Sequence, residues 1–193
     1  MVLPIVGYGH PVLRQETDEI EQNYPVKELI KNMFETMYNA SGVGLAAPQI
    51  AEAVRLFIVD GSPFSDMEDI SEEESKQLSS FRKVFINPII VEEKGEEWAF
   101  EEGCLSIPGV NADVIRKDTV VIEYYNEKWE LLEETYTGLA ARIIQHEYDH
   151  IEGVLFPDLV SPLKKKFLAK KLSRIVVGDV SASYKMKFSK RKR

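Results

Sequence analysis

His146 and His150 stand four residues apart in the run Gln145-His-Glu-Tyr-Asp-His150, with Glu147 between them; the only other histidine is His10. A helix turns about 100° per residue, so positions i and i+4 share a face. Two imidazoles on one face can hold one metal ion. The glutamate beside them can move a proton to or from a water that the metal activates. The same spacing constrains the fold. Leu139, Ile143, His146, Glu147 and His150 track one side of the predicted helix, with Ile144 and Ile151 nearby. The metal would therefore sit against the core, and the rest of the chain must enclose this helix. Thr137 suits its N-cap and Gly153 its stop.

The enclosing elements are legible as patterns. Residues 25–40 read as an amphipathic helix, with Val26, Leu29, Ile30, Met33, Phe34 and Met37 on one face and Ser41-Gly42 as the break. Strand character appears at 55–60 and at 84–92, the latter interrupted by Asn87-Pro88. Two further β-rich runs, 119–125 and 129–136, flank Asn126-Glu-Lys as a hairpin. A last helix opens at Ser161-Pro162, with an apolar stripe of Leu163, Phe167, Leu168, Leu172 and Ile175 and lysines opposite. No strand–helix–strand alternation is visible. The prediction is an α+β fold: antiparallel β-sheets packed around the central helix, with an N-terminal helix and a C-terminal helix. At 193 residues, one domain spanning 1–193 is expected.

Charge is uneven. The net −8 divides into a C-terminal stretch, 164–193, with 12 of the 24 Lys and Arg and one acid, Asp179, and a body with 12 basic and 31 acidic residues. Residues 61–80 read as an acidic surface loop or mobile insertion, and 178–193 as a basic C-terminal tail. Such a tail is either a solvated end or a surface that touches nucleic acid. No run of about 18 apolar residues suggests a transmembrane helix, and no signal peptide is recognisable at the N-terminus. The single cysteine fits a reducing cytoplasm.

That cysteine, Cys104, sits in Glu102-Gly-Cys-Leu-Ser106. Two histidines leave a catalytic metal one protein ligand short of three, with a fourth position for water. A thiolate is a good third ligand; a buried structural cysteine is the plainer alternative. One thiolate and two neutral imidazoles leave a divalent ion with a net charge near +1, which favours deprotonating a bound water near neutral pH. Glu147 then reads as a base rather than a ligand.

Three segments together resemble peptide deformylase: Gly42-Val-Gly-Leu-Ala-Ala-Pro-Gln49, Glu102-Gly-Cys-Leu-Ser106 and Gln145-His-Glu-Tyr-Asp-His150. The resemblance runs from about residue 5 to residue 162, including Ile86-Asn-Pro and Gly153-Val-Leu-Phe. It implies a hydrolase that removes the formyl group from the N-terminal formyl-methionine of newly made polypeptides. It implies that Cys104, His146 and His150 hold one divalent metal, Fe2+ in the cell, with Zn2+, Ni2+ or Co2+ able to occupy the site in preparations. Glu147 becomes the acid–base group. The side-chain amide of Gln49 and the backbone N–H of Leu105 become donors to the oxyanion. Gly44 is the position that pairs with the peptide as an added strand, while Val43, Leu45, Leu105 and Ile143 form the methionine pocket. Ile107-Pro108-Gly109 borders the substrate. Glu102, Arg116 and Asp149 are expected to form a charge cluster that orients the ligands.

The chain departs from the family pattern in three places. Many members carry an arginine near the position of Asn111, the acidic 61–80 stretch is longer than in compact members, and the basic end exceeds a minimal deformylase. The expected partners are nascent N-formyl-methionyl polypeptides in a bacterial cytoplasm and the ribosome through the basic end, with no membrane and no stable protein partner. The competing readings are an H-E-x-x-H metallopeptidase and a protein that docks on RNA or the ribosome.

Overall fold

The computed structural model describes residues 1–189; the closing Lys190-Arg-Lys-Arg of the basic tail lies outside the described residues. In chain order, a short strand β1 (Ile5–Val6) leads into helix α1 (Val26–Asn39), then β2 (Gly44–Ala46), β3 (Leu56–Asp60) and helix α2 (Glu72–Ser79). Three longer strands follow: β4 (Arg82–Gly103), β5 (Asn111–Tyr125) and β6 (Leu131–Thr137). The chain then forms helix α3 (Gly138–Ile151), a short turn of helix α4 (Phe156–Leu159), helix α5 (Pro162–Val176) and strand β7 (Met186–Lys187).

Strands β2 to β6 make one antiparallel sheet in sequence order, while β1 and β7 form a separate parallel ribbon. The sheet lies between two helices, and β3 shows why. Side chains alternate across a strand. Phe57 and Val59 of β3 join the core on which α3 packs, through Leu139, Ile143 and Ile144. Leu56 and Ile58 join the core under α1, with Ile30, Met33, Phe34 and Met37. Every residue of β3 is buried, and the first four, Leu56, Phe57, Ile58 and Val59, form a continuous apolar run. Aromatic rings fill the α3 side, with Phe57 stacked on Phe85 at a centroid distance of 4.7 Å and Tyr124 tilted against Phe85 at 4.3 Å. No helix among the described residues is long and apolar enough to cross a membrane.

Several expectations need correction. Residues 61–80 are not a featureless loop, because they contain a 3-10 turn, Ser62–Phe64, and α2. Three of the acids that suggested a loop, Glu72, Glu73 and Glu74, occupy the first turn of α2, where the helix dipole favours them. Ser71 caps that helix by accepting from Glu74 N at 3.1 Å, and Leu78 pins it to the core. Thr137 occupies the N-cap position of α3 without using its hydroxyl. The cap comes from α2, where Glu74 Oε1 accepts from Leu139 N at 2.8 Å.

Strand β4 runs well past residue 92. Residues 91–97 are exposed on both faces and hide it, and only beyond them do Trp98, Phe100 and Glu102 alternate inward. Asn87-Pro88 does interrupt the pairing: the register shifts between Ile86 and Ile89. Asn87 takes a left-handed φ of 50°, and its side chain bonds both backbone groups of Ile20 at 2.8 and 2.9 Å. Trp129 lies in the β5–β6 turn with φ 61° rather than opening the strand. In α5 only Leu172 and Ile175 are buried; Leu163 and Phe167 are 64% and 73% exposed. The first part of the supposed tail, 178–189, folds back onto the body through β7.

Candidate active site

Helix α3 is buried on nearly all sides, which makes it a rigid base for the groups it carries. At the far end of the sheet β4 leaves the ladder, where Gly103 faces Asn111, and the chain makes a turn that begins at Cys104. Ile107 N closes that turn on Cys104 O at 2.8 Å. The thiol thereby reaches α3. Cys104 Sγ and a ring nitrogen of each of His146 and His150 all lie within 4.8 Å of one another, and Sγ is 3.2 Å from His150 Nε2.

These atoms form a donor set of one sulfur and two imidazole nitrogens, the chemistry of a three-ligand transition-metal site. His146 turns its other nitrogen, Nδ1, to Glu102 Oε2 at 2.9 Å. A carboxylate behind a histidine fixes the ring and its tautomer, as it does behind metal-bound histidines generally. Burial lowers the pKa of His146, but the Cys104 thiol and the Glu102 carboxylate outweigh it and raise it well above the ordinary value. The His146 ring thus favours positive charge, whereas burial and the neighbouring His146 hold the His150 pKa well below the ordinary value.

Glu102, Arg116 and Asp149 do come together. Arg116 donates to both Glu102 oxygens, Nε to Oε1 at 2.7 Å and Nη2 to Oε2 at 3.0 Å. Its Nη2 is also 2.8 Å from Asp149 Oδ2. Burial alone would raise the Glu102 carboxyl, but His146 and Arg116 hold it far below the usual carboxylate range. Sequence reasoning missed Arg142, whose Nη1 lies 3.0 Å from Glu102 Oε1 and whose Nη2 donates to Trp98 O at 2.8 Å. Arg142 is four residues before His146, so the spacing that paired the histidines already placed it on the same face.

Glu147 is buried beside the cluster, and its Oε2 has no hydrogen-bond partner among the described residues. Burial pushes its carboxyl up to about 7. Gly44 makes room for it: a Cβ there would lie 2.7 Å from Glu147 Cδ and Cγ. Gln49 sits in the 3-10 turn Ala47–Ile50 that follows β2 and is buried. Its Oε1 accepts from Ala46 N at 2.8 Å. That bond aims Nε2 at Cys104 Sγ, 3.6 Å away, and Ser106 Oγ, 3.4 Å away.

A cavity of about 510 Å³ opens over these groups. Val43, Gly44, Leu105, Ile143, His146 and Glu147 line it. Leu45 does not; it is wholly buried in the core under α1, because alternation along β2 turns it away from its neighbours. Ile107, Pro108 and Gly109 border the cavity, and so does Asn111. The sequence did not point to Phe64, from the acidic stretch, or to Tyr184, from the C-terminal segment, as further walls. Burial and the nearby Cys104 push the Tyr184 hydroxyl up to about 12, so it stays protonated and donates to Leu105 O at 2.7 Å. Strand β2 lies at the edge of the sheet, which leaves its outer side open to an added strand.

A sequence model of the family described as polypeptide deformylase matches residues 2–166. The chain belongs to that family. It is 56% identical to the peptide deformylase of Christiangramia forsetii over 194 aligned positions, covering 100% of this chain and 99% of that one. The peptide deformylase of Flavobacterium psychrophilum is also 56% identical, with 100% of each chain covered. Among solved structures, a peptide deformylase from Legionella pneumophila superposes with a TM-score of 0.75 at 36% identity, covering 90% of this chain and 95% of that one. Polypeptide deformylases are metal-dependent, and the donor set, the orphaned Glu147 oxygen and the carboxylate behind His146 fit such an ion.

Proposed function

We propose that this chain hydrolyses the formyl group from the N-terminal formyl-methionine of nascent polypeptides in the cytoplasm, releasing formate and a free amine. The observation that carries the reading is convergence. A buried carboxyl with a pKa near neutrality, a fixed amide donor and a sulfur–imidazole donor set face one apolar cavity beside an open strand edge. Cys104, His146 and His150 would hold one divalent ion, Fe2+ in the cell and Zn2+, Ni2+ or Co2+ in some preparations. Bound there, the ion supplies a Lewis acid that polarises the formyl carbonyl and makes water more acidic.

The chain's own residues do the rest. The methionine side chain enters between Val43, Leu105 and Ile143, and its backbone pairs along the β2 edge at Gly44. Gln49 Nε2 and the Leu105 N–H donate to the carbonyl oxygen as it gains charge. Glu147 takes a proton from the attacking water and delivers it to the amine nitrogen as the C–N bond breaks. A carboxyl near pH 7 can both accept and return that proton. Glu102, braced by Arg116, orients His146, and Asp149 braces Arg116 from the other side.

Protein purified without oxygen should release formate from a formyl-Met peptide. Glu147→Gln should lose about 10²- to 10⁴-fold in kcat while its metal content stays unchanged. Cleavage of internal peptide bonds without formate would overturn the reading in favour of a metallopeptidase. The ribosome is a further partner in this proposal. Support for it comes from α5, where Lys166, Lys170 and Lys171 stand exposed around Leu163 and Phe167. Basic side chains of this kind bind phosphate backbones in a salt-dependent way.

A further inference from the structure

Strand alternation sorts the last residues of the β4–β5 ladder into two faces. Glu102, Ala112 and Val114 turn inward and are buried. Glu101, Gly103, Asn111 and Asp113 turn outward and are exposed. The ladder pairs Glu101 with Asp113 and Gly103 with Asn111. Two carboxylates therefore stand directly opposite each other, an arrangement that costs stability because like charges repel across a strand pair.

Their surroundings treat the two acids differently. Lys164 of α5 reaches Asp113, with Nζ 2.6 Å from Oδ2, and neutralises it. Glu101 receives only an amide: Asn111 Nδ2 donates to its Oε2 at 3.1 Å. Gly103 leaves room for that side chain, since a Cβ there would lie 2.8 Å from Asn111 Oδ1. Asn111 is uncharged, and no lysine or arginine among the described residues pairs with Glu101. Its negative charge is therefore uncompensated.

Glu101, Gly103 and Asn111 also line the cavity, together with Gly44 and Leu105. The other acidic and basic side chains of that lining, Glu102, Arg142 and Glu147, are buried. Glu101 is exposed, which puts its carboxylate at the rim.

We propose that Glu101 is a specificity-determining residue: its uncompensated carboxylate favours nascent chains that carry Lys or Arg directly behind the formyl-methionine. This rests on the deformylase reading. A chain whose methionine fills the cavity carries its next residues out across the rim. Successive side chains of an extended peptide point to opposite sides, so one of residues two and three faces Glu101. The attraction joins exposed charges, so it is modest and salt screens it. As a rim charge it acts on substrate capture rather than on the bond-breaking step.

The test compares kcat/KM, read by formate release from metal-loaded protein, for formyl-Met-Lys-Lys-Ala and formyl-Met-Glu-Glu-Ala. The parent should favour the lysine peptide about three- to tenfold at low salt. Glu101→Gln should bring the ratio to within about twofold, and so should an ionic strength of about 1 M, where the screening length is about 3 Å. Asn111→Arg should do the same from the other side, by placing a cation on Glu101. Equal rates for the two peptides in the parent would overturn the proposal. So would a lysine preference that survives both substitutions, since the charge of the whole body would then be its source. Formate released from neither peptide would overturn the deformylase reading itself, whereas equal release from both removes only the role of Glu101.

Discussion

Helices α3 and α5 are of nearly equal length, 14 and 15 residues, and both carry a stripe of apolar residues at helical spacing. Their fates differ. On α3 almost every side chain is buried, including Arg142, Gln145, Glu147 and His150. On α5 two residues are buried, and Phe167 is 73% exposed. The difference teaches that periodicity reports which residues can share a face, and not whether anything covers it. What tells the helices apart is the neighbourhood. α3 lies against a broad sheet that supplies Glu102 as a counter-charge for Arg142 and Arg116 for Asp149. α5 meets the body through Leu172 and Ile175 of its second half, which pack with Val6, Leu13 and Phe156, and through the surface ion pair Lys164–Asp113.

If that contrast is right, the largest effect comes from unpairing a buried charge under α3. Arg116→Ala leaves Asp149 without its cation and Glu102 with Arg142 alone, at a place where Arg116 and Glu102 are only 6% and 4% exposed. It should destabilise the fold by about 3–5 kcal/mol, read by denaturant unfolding. A variant with full stability, metal content and activity would show that the cluster does not orient the ligands.

A smaller effect should come from steric intrusion on Glu147. Gly44→Ala places a methyl group against its carboxylate. Misplacing a catalytic group by about 1 Å costs on the order of 100-fold, so kcat should fall by about that much with the metal retained. Wild-type kcat in this variant would mean that Glu147 has other room.

The smallest effect belongs to α5. Phe167→Ser combined with Lys170→Glu should shift stability by no more than about 0.5 kcal/mol, since neither side chain is buried. The same variant should lose low-salt co-sedimentation with ribosomes. Unaltered co-sedimentation would remove α5 from the docking proposal, and a large stability loss would break the contrast with α3.

The legible part of the site was the part written locally. His146, Glu147 and His150 lie within one helical turn and a half, so spacing alone put them together. Cys104 was conspicuous as the single thiol, and Gln49 and Leu105 followed from the resemblance of their segments. Leu45 was assigned to the pocket through its neighbours, but strand alternation sends it to the opposite side. Arg142 was missed because an arginine inside an apolar helix reads as surface until its partners Glu102 and Trp98 are seen around it. Helix α2 was missed because acids suggest solvation, whereas here they sit at a helix N-terminus and one of them caps α3.

The sequence by itself determined the α+β class and the placing of His146, Glu147 and His150 on one helix face, because each depends on composition and short-range periodicity. Only the tertiary structure decided which charges would be buried together, that Glu74 rather than Thr137 caps α3, and that Tyr184 reaches Leu105 across 79 positions of chain. The physical reason is range. Helix and strand patterns are set by neighbours a few residues away, whereas pairing of buried polar groups depends on distant segments that approach only after the sheet and the β1–β7 ribbon have formed.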